Sequence, residues 1–149
     1  MTPQEIAGIV GRRVAELDLA GRKLGMELVS VSPGRCELRM TVQPDMVNSG
    51  GTCHGGMIFT LADSAFGYAC NSFNRAAVAQ QCDITFLRPV AVGTVLTATA
   101  ELRETAGRSS IYDMTVRNAA GETVALFRGL SREIGGAIIP GLDAGPQGG

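Results

Sequence analysis

Apolar residues recur at three- and four-residue spacing through the first turns of the chain. Ile6, Ile9, Val10, Val14 and Leu17 fall on one face, which predicts an amphipathic helix over 2–19. Pro3 suits its first turn, and Gly21 is its expected stop. From Met26 the period shortens. Met26, Leu28, Val29 and Val31 lead into Ser32-Pro33-Gly34, and then Cys36, Leu38, Met40 and Val42 alternate with Glu37, Arg39 and Thr41. The two runs read as a hairpin. Residues 43–53 carry Pro44, Asn48, Ser49, Gly50 and Gly51 and read as a loop. The run from Met57 to Cys70 is apolar nearly all round, so it predicts a helix buried on most sides. After it come strand patterns over 77–87, 94–102, 109–118 and 122–134, with turns at Gly107-Arg108 and Ala120-Gly121. Runs of strands around one long buried helix imply an α+β architecture, an antiparallel sheet wrapped on that helix.

Composition narrows the class. A chain of 149 residues suits one domain, expected over 1–136, with a glycine- and proline-rich tail over 137–149 that is expected to be loosely ordered. The formal net charge is −1, from 13 basic and 14 acidic residues, so no basic nucleic-acid footprint is present. A mean hydropathy of +0.16 is slightly apolar for so small a domain and points to a buried subunit interface. The longest uncharged stretch, Met46 to Ala62, contains Asn48, Ser49, His54 and several glycines, unlike a membrane span. No basic-then-apolar leader is visible at the N-terminus. Cys36, Cys53, Cys70 and Cys82 lie far apart with one histidine in the chain, so metal spacing fails. Four reduced thiols in a cytoplasmic protein are expected.

The candidate chemistry lies where loop meets buried helix. The segment Asn48-Ser-Gly-Gly-Thr-Cys-His54-Gly55-Gly56 brings His54 and two glycines to a helix N-terminus. The first amides there lack helical partners and carry the positive end of the dipole, so they can stabilise an oxyanion on a carbonyl. An ordinary capped helix start is the simpler account of the same residues. Asp63 is the only charged side chain between Asp45 and Arg75. A carboxylate among apolar neighbours is costly unless it serves a polar seam or a reaction. Eight residues of α-helix put Gly55 and Asp63 about 12 Å apart. One chain cannot bring both to one carbonyl, so their cooperation requires a dimer with its site at the interface. Ser64 and Ser72 sit in no GxSxG elbow. Phe59, Phe66 and Tyr68 suit a core or a pocket wall, and Arg88, Arg108, Arg128 and Arg132 are candidates to meet a phosphorylated ligand.

These residues carry a resemblance. Asn48, His54-Gly55-Gly56, Leu61-Ala62-Asp63-Ser64-Ala65-Phe66, Phe86-Leu87-Arg88-Pro89 and Ala125-Leu126-Phe127-Arg128-Gly129 resemble the hotdog-fold acyl-CoA thioesterases of the phenylacetate-degradation (PaaI) type. The resemblance spans roughly residues 24–136. It implies a hotdog fold of five or six antiparallel strands around one long central helix. It also implies a homodimer with a continuous sheet, commonly paired into a homotetramer. The implied reaction is hydrolysis of an acyl-CoA, phenylacetyl-CoA or a hydroxylated phenylacetyl-CoA foremost, without metal or cofactor. Asp63 would activate water or attack directly, the Gly55 amide would polarise the thioester carbonyl, Asn48 would hold substrate or water, and His54 would shape the loop. Gly56, Ser64, Phe59, Arg88 and Arg108 are the expected substrate contacts. Where some family members carry an Asn in the N-terminal segment, this chain reads Glu16-Leu17-Asp18. Two alternatives remain at this level: an enoyl-thioester dehydratase or hydratase using His54 and Asp63, and a non-catalytic acyl-CoA-binding regulator.

Overall fold

A computed structural model describes residues 1–143. Helix α1 runs Pro3–Leu17, and a short helix α2 covers Leu19–Lys23. Strands β1 (Glu27–Ser32) and β2 (Arg35–Thr41) form the expected hairpin, and the central helix α3 spans Gly55–Asn71. Strands β3 (Ala77–Phe86), β4 (Val95–Ala106), β5 (Ser109–Arg117) and β6 (Thr123–Glu133) follow. All pairings are antiparallel, in one six-stranded sheet of order β1-β2-β4-β5-β6-β3.

Two boundaries differ most from expectation. Strand β4 continues to Ala106, past the expected 102, across a register shift between Leu102 and Glu104. The first helix ends at Leu17 with Asp18 as its cap, short of the expected 19, and Gly21, the expected stop, lies inside α2. Asp18 leaves helical geometry and its carboxylate accepts from the Gly21 amide at 3.1 Å, so the cap starts a second helix where the apolar period suggested only a stop. At the start of α1, Thr2 and Glu5 form a reciprocal capping box.

The sheet curls around α3. Cys36, Leu38 and Met40 of β2, Leu96, Ala98 and Ala100 of β4, and Tyr112, Met114 and Val116 of β5 are buried, each set alternating with outward residues. They close on Leu61, Ala62, Ala65, Phe66 and Ala69 of the helix. Phe66 lies over Gly129 of β6, and its ring packs against Tyr112 and Phe127 with centroids 5.5 and 6.5 Å away. A Cβ at Gly129 would stand 2.5 Å from that ring. Gly129→Val is therefore expected to destabilise the fold by about 1–3 kcal/mol through overpacking, read from the midpoint of urea unfolding.

The far end of α3 is tied down by polar contacts. Ser72 accepts from the Gly34 amide at 2.8 Å, which joins the β1–β2 turn to the helix end. Asn74, buried and left-handed at φ 59°, donates to the carbonyls of Ile139 and Leu142 and accepts from the Ile139 amide. The tail expected over 137–149 lies in part outside the described residues; within them this contact holds it against the helix exit. One stripe of α3, including Thr60, Ser64 and Gly67, is only half-buried.

Candidate active site

The loop before α3 is built from its own hydrogen bonds. Asn48 Oδ1 accepts from the amides of Gly50 at 2.9 Å and Thr52 at 3.2 Å, and the Asn48 amide donates to the Thr52 carbonyl at 2.8 Å. Cys53 then donates its amide to Val90, and His54 donates its own to Met46. These bonds fix the angle at which the chain enters the helix. His54 is the N-cap: its Nδ1 accepts from the Gly56 amide at 2.9 Å, and its carbonyl accepts from Met57. Gly56 is thereby spent on the cap. The amide of Gly55, one residue earlier, has no acceptor among the described residues.

Gly55 opens on a cavity of about 400 Å³ lined also by Asn48, Cys53, Phe86, Arg88 and Val90. The Phe86 ring lies so close that a Cβ on Gly55 would stand 2.9 Å from its Cζ. Arg88 is held at this cavity through the Thr123 carbonyl and a 3.6 Å pair with Glu122. An uncommitted amide at the positive end of a helix, facing a half-apolar cavity, can hold a carbonyl oxygen and the charge that develops on it.

Asp63 does not line that cavity. It sits partly exposed on α3, with Oδ1 4.0 Å from the Cys82 Sγ of β3. Burial, and then the charge of Asp18, pushes its carboxyl above the usual aspartate range. Ser64 lies beside it on the half-buried stripe. Phe59 packs edge-on against Phe127 at 4.9 Å, so its ring supports the core below that stripe. Arg108 occupies the β4–β5 turn, where its carbonyl accepts from Glu133, at the end of α3 opposite Gly55. Arg128 pairs with Asp113 through two bonds of 2.7 and 2.9 Å on the outer face of the sheet.

The chain thus gathers Asn48, His54, Gly55, Gly56 and Arg88 at one end of α3, and leaves Asp63 and Arg108 apart from them. Sequence reasoning passed over three neighbours. Phe86 as the wall over Gly55 was readable from the alternation of Ile84 and Phe86, which puts both on the helix-facing side of β3, Phe86 half exposed at its end. Neither the approach of Asp18 to Asp63 nor that of Cys82 carries a local sequence signal. Among the described residues no cluster of His, Cys, Asp and Glu could hold a metal ion, and no helix is long and apolar enough to cross a membrane.

Comparison with known proteins bears on the same residues. A family model described as Thioesterase superfamily matches residues 50–125. The chain is 47% identical to the acyl-coenzyme A thioesterase PaaI of Escherichia coli (strain K12) over 83% of its length and 88% of that protein. Its fold matches the structure of the E. coli PaaI protein from the phenylacetic acid degradation operon with a TM-score of 0.89, at 43% identity, over 91% of this chain and 99% of that one. A Streptococcus mutans UA159 protein bound to acetyl CoA matches with a TM-score of 0.72 at 27% identity, over 75% of this chain and 90% of that one.

Proposed function

The chain belongs to the thioesterase superfamily and is an acyl-CoA thioesterase of hotdog fold, and from that premise we propose that it hydrolyses phenylacetyl-CoA or a ring-hydroxylated phenylacetyl-CoA in phenylacetate catabolism. The observation that carries the site is the free Gly55 amide on its cavity. The likeness to a protein of the phenylacetic acid degradation operon supports the acyl group.

In this reading the thioester carbonyl accepts from the Gly55 amide, which draws charge toward the helix N-terminus. Asp63 of the partner subunit takes a proton from water as its oxygen adds to the carbonyl carbon. The tetrahedral intermediate then expels CoA as the thiol, its sulfur taking up the proton, and the free acid remains. Asn48 orients water or substrate, and His54 keeps the helix start in place. Gly56, Ser64 and Phe59 border the acyl group. Arg88, poised at the cavity, suits the phosphates of CoA. Arg108, at the far end of α3, reaches a site only from a partner whose helix runs antiparallel.

Two surfaces support a homodimer. Strand β3 is an edge strand of ten residues whose outer side meets no strand among the described residues, and Val78, Phe86 and Leu87 on or beside it are about half exposed. A long edge with free backbone groups invites strand pairing. Asp63, beside Ser64 on the half-buried stripe of α3, lies against Cys82 of β3, so the stripe adjoins that edge. Pairing two copies there joins the sheets and sets the helices side by side, and two such dimers form a homotetramer. The four unpaired cysteines agree with work in the cytoplasm.

A panel of acyl-CoAs from acetyl through medium and long chains to phenylacetyl and hydroxyphenylacetyl tests the substrate, with release of free CoA as the readout. The aryl-acetyl thioesters are expected to exceed the straight chains in kcat/KM by about 10–200-fold, the range a shaped apolar pocket supplies. A flat panel, or a preference for long chains, contradicts the aryl assignment and leaves the thioesterase in place.

A further inference from the structure

Strand β3 changes parity part way along. Ala77 and Ala79 stand opposite Glu133 and Ser131 of β6; one extra residue, Gln80, intervenes; then Cys82, Ile84 and Phe86 stand opposite Gly129, Phe127 and Ala125. Residues directly opposite share a face. Phe127 and Ala125 belong to the core around α3, so the bulge turns Cys82 toward the helix. Unbroken alternation from Ala79 would point Gln81 and Asp83 inward and Cys82 out. A bulge that re-aims a strand commonly serves a nearby site. Here its effect is to bring the Cys82 Sγ to 4.0 Å from Asp63 Oδ1, and among the described residues no other donor reaches that carboxylate.

We propose that Cys82 is a positioning residue for Asp63: its S–H donates to Oδ1, holds the carboxylate in one rotamer, and leaves Oδ2 to receive the proton of the attacking water. The assignment rests on Asp63 being the base. A contact of 4.0 Å is long for a thiol donor, as catalytic contacts often are before substrate binds. The groups that bear on Asp63 are Asp18 at the α1–α2 junction, Cys82 on β3 and Cys70 on α3 itself. Burial pushes both thiols up, so both keep their hydrogen where Asp63 is ionised. The Cys70 thiol is directed to the Gly67 carbonyl, which leaves Cys82 as the donor to the carboxylate.

The test compares Cys82→Ser, Cys82→Ala and Cys82→Val with the wild type and with Asp63→Asn, reading kcat, KM and the pH profile of CoA release. With a donor role, Ser stays within about threefold of the wild-type kcat, while Ala and Val lose about tenfold with KM unchanged. The acid limb of the Ala and Val profiles moves to higher pH, because the lost donor no longer favours the ionised carboxylate. A packing role reverses the order, since a partly buried hydroxyl is tolerated less well than a methyl, and leaves the limb in place; that order overturns the proposal. Wild-type kinetics in all three Cys82 variants beside an inactive Asp63→Asn also overturn it, with Asp63 still the base. An active Asp63→Asn removes the base and the positioning role together.

Discussion

Replacing Asp63 with Asn is expected to lower kcat by about 10²–10⁴-fold, the share a positioned general base supplies, in a chain that still folds and still binds acyl-CoA. Release of CoA, thermal unfolding and acyl-CoA binding measured on the same preparation separate these three outcomes. Asn keeps the shape of the side chain and removes its charge. Burial and Asp18 raise the Asp63 pKa, so the ionised carboxylate is a cost to the fold. An aspartate whose pKa is raised in the folded state favours folding least where it is ionised, so the variant should be at least as stable as the wild type at pH 7. The same shift predicts the acid side of the rate profile. As the proposed base, Asp63 works ionised, and activity is expected to fall as pH drops through its raised pKa, above the ordinary aspartate value of about 3.9. Asp18→Asn, which removes the neighbouring charge, should move that limb to lower pH. Wild-type turnover in Asp63→Asn would take this carboxylate out of the mechanism.

The second large effect tests whether the site is shared between two chains. Gly55→Ala drives a methyl to within 2.9 Å of Phe86 and displaces the amide from the cavity, so on its own it should be nearly inactive. Asp63→Asn is nearly inactive for another reason. If each site joins Gly55 of one subunit to Asp63 of the other, a mixed dimer holds one site with both defects and one with neither. Unfolding and refolding the two variants together in equal amounts should restore about a quarter of the wild-type rate, since half the dimers are mixed and each has one intact site. The rate of the co-refolded sample, set against each variant treated alone, gives the answer. Absence of recovery, with mixed dimers verified by a tag on one chain, contradicts a shared site.

Much of this was legible in the chain because apolar period changes cleanly. The shift from helical spacing at Ile6–Leu17 to alternation at Cys36–Val42 marks helix and hairpin, and the run after Met57, apolar but for Thr60, Asp63 and Ser64, is too long for a strand and reads as a buried helix. The candidate site was legible where composition is odd: one carboxylate in that run, and glycines at its start. What stayed hidden depends on neighbours remote in sequence. Nothing local says that β3 pairs with β6 and not with β2, because strand patterns state which residues face inward and not which strand lies alongside. The approach of Asp18 depends on a cap that breaks the first helix, and that of Cys82 on one extra residue in β3. His54 is an instance of a residue whose simpler role is also real: it caps α3, and by taking the Gly56 amide it leaves that of Gly55 as the free donor.

The strand order has a consequence for synthesis. Residues 77–86 pair with residues 123–133, so the third strand to leave the ribosome waits for the last. Until then, the helix has only β2 and, later, β4 and β5 to cover it, and the side that Phe66 and Phe59 present to β6 faces solvent. Pairings of such long sequence separation form late and leave apolar surface exposed while they form. A nascent chain that stalls before residue 133 therefore carries an unpaired strand beside an uncovered aromatic face, which invites chaperone binding and proteolysis; the Asp63 carboxylate and the Cys82 thiol that faces it come together only when the final strand has docked.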